Sequence, residues 1–149
     1  LRILTMLIRA YQDESKSEEM LIEKNNAMKR LERALEYIDK HFCDKISLEE
    51  AAGAAFMSPS YFSTYFRKVT DISFSEYVTR LRIAHARELL KTTDRSVTDV
   101  AMECGFNNTS NFYRLYKRHT GHSPREYQLS SRQRQSVCRI LLRYIVLRK

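Results

Sequence analysis

The feature that most constrains the fold of this chain is an internal repeat. The segment SLEEAAGAAF begins at Ser47 and returns as SVTDVAMECGF at Ser96. Small and branched residues match between the copies at an offset of 97 − 48 = 49: Leu48, Ala51, Ala52 and Ala55 against Val97, Val100, Ala101 and Cys104. A match at this many positions predicts that one structural unit occurs twice.

Each copy continues through a short connection, FMSPS or FNNTS, into a second apolar stripe with helical spacing. The two stripes are Phe62, Tyr65, Phe66, Val69 and Phe112, Leu115, Tyr116, His119. Their offset is 112 − 62 = 50, so the second connection is one residue longer than the first. Because small residues allow two helices to cross closely, the pattern indicates two helix-turn-helix units. A plain bundle of duplicated helical hairpins is the alternative.

Serine residues mark the helix starts, because a serine side chain can cap free N–H groups while an acid three residues later bonds back. The pairs are Ser47 with Glu50, Ser73 with Glu76, Ser96 with Asp99 and Ser123 with Glu126. They predict short helices over 47–55, 59–69, 96–104 and 109–119, and a longer one over 74–91.

Only 3 Gly and 2 Pro leave little turn chemistry for a sheet. The predicted fold class is therefore all-α, with two helix-turn-helix subdomains joined by a long linker helix. Each subdomain is a homeodomain-like three-helical unit. Both lie within 29–128, the first unit at about 47–70, the linker helix at about 74–91 and the second unit at about 96–120.

The linker helix has apolar residues for both units. Those expected to pack on the first are Phe74, Tyr77, Val78 and Leu81, and those expected to pack on the second are Ile83, Ala86, Leu89 and Leu90. A helix of about 18 residues spans about 27 Å, which is comparable to the roughly 34 Å between successive major grooves on one face of DNA. One rigid helix could thus present both units to adjacent grooves.

Two end segments flank the units. Residues 1–28 are predicted to form a helix and then a turn or linker at DESKSEE. The helix has a short apolar stripe, Leu1, Leu4, Ile8 and Tyr11, which suits either packing on an upstream domain or pairing of two copies in a homodimer. The chain begins at Leu1 rather than Met, and we expect this region to be the end of an upstream sensor or dimerisation region.

Residues 129–149 form a basic tail, interpreted as a docking helix or a membrane-surface helix.

The formal charge of +8 favours a polyanionic partner, either nucleic acid or an anionic membrane surface. No apolar run approaches the roughly 20 residues that span a bilayer, and we expect no membrane partner.

The cysteines, Cys43, Cys104 and Cys138, lack the spacing of a disulfide framework or a zinc site. The histidines, His41, His85, His119 and His122, have no ligand-like spacing with a cysteine or an acid. We therefore expect that the protein is not an enzyme and has no catalytic residue, metal or cofactor. We also expect it in the reducing cytoplasm.

The outward face of the second helix in each unit carries polar and basic side chains. Short polar side chains near the start of such a helix can approach base edges, and arginine can bond guanine O6 and N7 together. The candidate base readers are Ser60, Ser63 and Thr64 in the first unit and Thr109, Ser110, Asn111 and Arg114 in the second. Basic residues toward the end of the helix suit phosphates, and these candidates are Arg67, Lys68, Lys117 and Arg118.

With these features in order, the chain resembles the DNA-binding domain of the AraC/XylS family of bacterial regulators. The matching stretches are SPSYFSTYFRKVT, RLRIAHARELL and SVTDVAMECGFNNTSNFYRLYKRHTGHSPREY, within about Leu31 to Tyr127. The resemblance implies a nucleoid-associated transcription regulator, commonly an activator, that binds tandem half-sites of double-stranded DNA and contacts RNA polymerase. By position, the family's base contacts fall on the seven candidate base readers. The first unit has no large or charged side chain at 60, 63 and 64, which predicts that this unit is less selective for DNA sequence than those of better-known members. The zinc-bound cysteine cluster of members fused to a DNA-repair methyltransferase does not occur in this sequence.

Overall fold

A computed structural model describes the backbone of residues 2–134 and the side chains of residues 20–134. Every regular element in that range is a helix. The helices are α1 (Arg2–His41), α2 (Leu48–Ala54), α3 (Pro59–Thr70), α4 (Phe74–Thr92), α5 (Val97–Glu103), α6 (Thr109–Thr120) and α7, which runs from 124 to the last described residue, 134. The predicted all-α fold class and the five predicted helices between 47 and 119 are confirmed.

The first helix differs from the prediction, because α1 is one unbroken helix of 40 residues. The turn or linker predicted at DESKSEE is wrong, and residue 29, the predicted start of the region that holds both units, lies inside α1. That run contains neither Gly nor Pro, and its Glu and Lys residues have helix propensities close to the best. A cluster of charged residues therefore does not by itself end a helix.

The first unit is built from the end of α1, α2, α3 and the first half of α4. Its buried residues are Leu31, Ala34, Ile38, Ala51, Ala52, Ala55, Phe62, Phe66, Phe74 and Val78. Phe66 meets Phe74 edge-on with ring centroids 6.2 Å apart, which suits the charge distribution of aromatic rings. Of the predicted α3 stripe, Val69 lies at the surface and Tyr65 is half-buried.

The second unit uses the other half of α4 together with α5, α6 and α7. Its core holds Ile83, Ala86, Leu90, Val100, Ala101, Cys104, Phe106, Phe112 and Tyr116. The two cores share the linker helix and no residue. The predicted division of the apolar residues of α4 between the units is confirmed, since Tyr77 and Leu81 also pack on the first core and Leu89 packs on the second.

The last described helix belongs to the second unit. Gln128 is buried and its amide donates to the carbonyl of Arg95 at 2.8 Å, and Ser131 is also buried. The start expected for the basic tail, at 129, therefore falls inside α7. The rest of the predicted tail, residues 135–149, lies outside the described residues.

The serine caps form as predicted at the helix starts, with differences in detail. Ser47 and Glu50 form both hydrogen bonds of a capping box, and so do Ser123 and Glu126. Ser73 caps α4 and Ser96 caps α5, each through a bond from the backbone N–H three residues later. Two caps were not predicted, Ser58 on α3 and Asn108 on α6.

The turns of the two units have the same backbone pattern but a different residue in the left-handed conformation. Phe56 has φ of 53° in the first turn and Gly105 has φ of 81° in the second. The next N–H bonds back in both cases, from Met57 to the Ala52 carbonyl and from Phe106 to the Ala101 carbonyl, each at 3.0 Å. The residue that makes the second turn longer therefore follows Phe106, and Phe56 is the structural equivalent of Gly105.

Candidate nucleic-acid interface

The face of α3 turned away from the first core carries all of its predicted contact residues. Ser60, Ser63, Thr64, Arg67 and Lys68 are exposed, while Phe62 and Phe66 hold the opposite face in the core. The Thr64 hydroxyl donates to the Ser60 carbonyl at 3.1 Å. Its proton is thereby occupied, so this hydroxyl presents an acceptor to the outside.

The corresponding face of α6 is exposed in the same way and carries longer side chains. Ser110, Asn111, Arg114, Lys117 and Arg118 are exposed and Thr109 is half-buried. Arg114 donates from Nη2 to Oδ1 of Asn111 at 2.8 Å. The two largest candidate base readers are thus held together one helical turn apart, with the remaining guanidinium and amide N–H groups left to point outward.

Neither α3 nor α6 contains an acidic residue along its whole described length. Arg67 and Lys68 lie in the last turn of α3, and Lys117 and Arg118 lie in the last turn of α6. Cations at a helix C-terminus also stabilise the helix, so this placement serves the fold as well as an anionic partner. Each unit therefore presents a short polar patch followed by a basic one.

The residue that links the two units, and that sequence reasoning missed, is Arg82 in the middle of α4. Its guanidinium donates to the carbonyl of Phe42 at 2.5 Å, of Asp44 at 2.8 Å and of Gly105 at 2.9 Å. The first two carbonyls follow the end of α1 and the third follows the end of α5. Partial burial lowers the pKa of Arg82 because desolvation disfavours the charged form, yet an arginine stays protonated in proteins.

The backbones of the two units touch beside this guanidinium. A Cβ added at Gly105 would lie 2.4 Å from the Cys43 carbonyl oxygen and 3.1 Å from Cζ of Arg82. Gly105 is therefore required both by its positive φ and by the approach of the first unit. Burial raises the pKa of the Cys43 thiol and raises that of Cys104 to about 12, which keeps both thiols protonated.

His119 lies between two helices. It belongs to α6 and is largely buried, and its Nε2 lies 3.7 Å from Oε1 of Glu76 on α4. Among the side chains of residues 20–134, no group of three or more His, Cys, Asp or Glu could hold a metal ion. Within the described residues, no helix has the length and apolarity needed to cross a membrane.

Comparison with known proteins agrees with this geometry. A probable AraC family transcriptional regulator from Rhodopseudomonas palustris CGA009 has a similar structure, with a TM-score of 0.64 at 27% identity over 69% of this chain and 97% of that one. The family model described as a helix-turn-helix domain matches residues 51–130, more than half of the chain. This chain belongs to the AraC/XylS family.

Two further AraC/XylS relatives extend the comparison. The DNA-binding domain of AdpA, in a crystal structure with a target DNA, has a TM-score of 0.67 at 29% identity and covers 71% of this chain and 96% of that chain. The HTH-type transcriptional activator RhaS of an Enterobacter species is 35% identical over 105 residues, which are 70% of this chain and 37% of RhaS. The chain spans about a third of the length of RhaS and of other curated relatives that it matches.

Proposed function

We propose that this chain binds double-stranded DNA sequence-specifically, with α3 and α6 in adjacent major grooves. The observation that carries the proposal is the pair of matched helices whose exposed faces are polar, then basic, and free of acidic residues. The likeness to the DNA-binding domain of AdpA, whose structure holds a target DNA, supports it. The two units joined by α4 suit neighbouring grooves on one face of the duplex.

The two units have different roles in this proposal. In the second, Arg114 and Asn111 read bases as a pair, with Thr109 and Ser110 nearby, and Lys117 and Arg118 bind phosphates. In the first, Ser60, Ser63 and Thr64 face the bases with short side chains, and Arg67 with Lys68 grips the backbone. The second unit is therefore the main source of sequence specificity.

We infer further that the whole protein is a bacterial transcription regulator acting as an activator, with RNA polymerase as a partner and the cytoplasm as its location. RhaS is described as a transcriptional activator, which supports this role. The N-terminal region, residues 1–28, would belong to a sensor or dimerisation region and could join two copies. The DNA-binding unit itself acts without catalysis, cofactor or metal.

Selection of bound sequences from a random duplex library tests the proposal. We expect an asymmetric motif with two parts about one helical turn, or about 10 base pairs, apart. No enrichment, or a short palindrome, would overturn it. A variant that ends at residue 134 should keep this selectivity, and loss of DNA binding together with the tail would weaken the proposal. The alternative is a membrane-surface or interaction role of the basic tail. Flotation of both proteins with anionic liposomes tests the membrane role, which predicts that only the chain with the tail floats.

A further inference from the structure

Three arginines lie on the linker helix, and their contacts differ. Arg80 pairs with Glu76 on the same helix at 3.1 Å, and Arg87 lies 5.2 Å from the ring centroid of Tyr127 within the second unit. In the described part of the chain, only Arg82 among them has hydrogen bonds to the backbone of both units. Its position in the sequence lies between Leu81, which packs on the first core, and Ile83, which is buried in the second.

The three carbonyls that Arg82 binds have a common origin. They lie one to three residues beyond the C-terminal ends of α1 and α5, near the negative ends of the helix dipoles. A guanidinium suits this place because its planar fork can donate in several directions at once. One side chain therefore holds the backbone segments that follow two helices of different units.

We propose that Arg82 is a positioning residue that fixes the angle and distance between α3 and α6, and so determines which half-site spacing the protein accepts. The inference rests on the proposed function. Without Arg82, the contacts between the units in the described part of the chain include the α4 helix, the close backbone approach at Gly105, the edge-on contact of Phe42 with His85 and the longer contact between His119 and Glu76. Bending of α4 between the two cores would then be resisted less.

The spacing of DNA half-sites reports on this rigidity. One inserted base pair rotates the second half-site by about 34° and moves it by about 3.4 Å. A rigid pair of units cannot follow that change, whereas a pair that can bend follows part of it. The measured quantity is the ratio of affinities for the selected duplex and for the same duplex with one base pair added or removed. Both affinities come from one protein sample, so the unfolded fraction cancels from the ratio.

We expect a ratio of about 100 for the wild-type protein and about 10 or less for Arg82→Met, which keeps the aliphatic part of the side chain. Arg87→Met is the matched control, on the same helix and within one unit, and should keep the wild-type ratio. Arg82→Lys keeps the charge but cannot reach all three carbonyls, so its ratio should lie between those of the wild type and Arg82→Met. It replaces Arg82→Met if that variant does not fold. Residual dipolar couplings of the free full chain should show altered relative orientation of the units in the Arg82 variant alone.

The outcomes distinguish this inference from the function on which it rests. An unchanged ratio in the Arg82 variant, or an equal fall in Arg87→Met, would overturn the positioning role and leave DNA binding intact. A wild-type protein that accepts all spacings equally would do the same. A wild-type protein that selects no sequence would overturn both.

Discussion

The two helix-turn-helix units have the same backbone, but the residue at the equivalent position of the turn is Phe56 in one and Gly105 in the other. Phe56 is 72% exposed and lies beneath the guanidinium of Arg33, so its side chain has room despite the positive φ. Gly105 lies against the Cys43 carbonyl of the first unit. The comparison teaches that the neighbour of a turn, more than its backbone conformation, decides whether glycine is required there.

The largest effect that tests this comparison is expected at the turns. Gly105→Ala should lower the free energy of unfolding by about 2–4 kcal/mol, because its Cβ would lie 2.4 Å from the Cys43 carbonyl oxygen. Phe56→Ala keeps a non-glycine residue at positive φ and loses one exposed cation–π contact, so a change below about 1 kcal/mol is expected. Denaturant unfolding measures both. Equal losses would show that the two turns are under the same constraint.

The second effect concerns base reading. Arg114→Ala should weaken binding to the selected duplex by about 1–3 kcal/mol and relax the preference at one base position, since a bidentate contact to guanine is lost. Ser63→Ala in the first unit should cost less than about 0.5 kcal/mol, as is usual for a surface substitution. Fluorescence anisotropy on selected and random duplexes gives the values. If Arg114→Ala weakened both duplexes equally, Arg114 would be a phosphate contact and the units would be alike.

A smaller effect is expected from the basic ends of the two helices. Lys68→Ala and Lys117→Ala should each reduce the salt dependence, the slope of log K against log salt, by about 0.9, because one phosphate contact is lost. The loss of affinity should be the same for every sequence. Binding at several salt concentrations checks this. A slope that changes for Lys117→Ala alone would mean that Lys68 does not contact a phosphate.

The smallest effect concerns the capping box at the start of α2 in the first unit. The backbone N–H and hydroxyl of Ser47 donate to Glu50 and hold the pKa of its carboxyl below the ordinary value. The stabilisation is therefore present at neutral pH and is lost as the pH falls through the lowered pKa. Glu50→Gln should lower stability at pH 7, and the difference from wild type should vanish in acid. Unfolding measured from pH 7 to pH 3 tests this, with Glu49→Gln as the control for loss of one charge in the same turn.

Much of the fold was predictable because its signals are local. The stripes through Phe62 and Phe112 repeat every three or four residues, and the Ser47 and Ser123 caps act across three residues. The outward faces of α3 and α6 follow from the same spacing. The continuity of α1 was not predictable from composition, because a charged, Ser-containing run is typical of linkers as well as of exposed helices.

The contacts between the two units were not predictable for a different reason. Arg82 bonds to residues 40, 38 and 23 positions away in the chain, and no local pattern marks a guanidinium that will meet backbone carbonyls. The clash that excludes a side chain at Gly105 likewise depends on the Cys43 carbonyl of another unit. The link between Asn111 and Arg114 could have been found from their spacing of three on one helix face.

The separation of the two cores has a consequence for how the molecule opens. Each unit has its own buried core and the two cores share no residue, so either core can stay intact when the contacts between the units are lost. The Arg82 hydrogen bonds between the units are polar and only partly buried, and regions with few buried apolar contacts open at low free energy. The two units should therefore part before either unfolds.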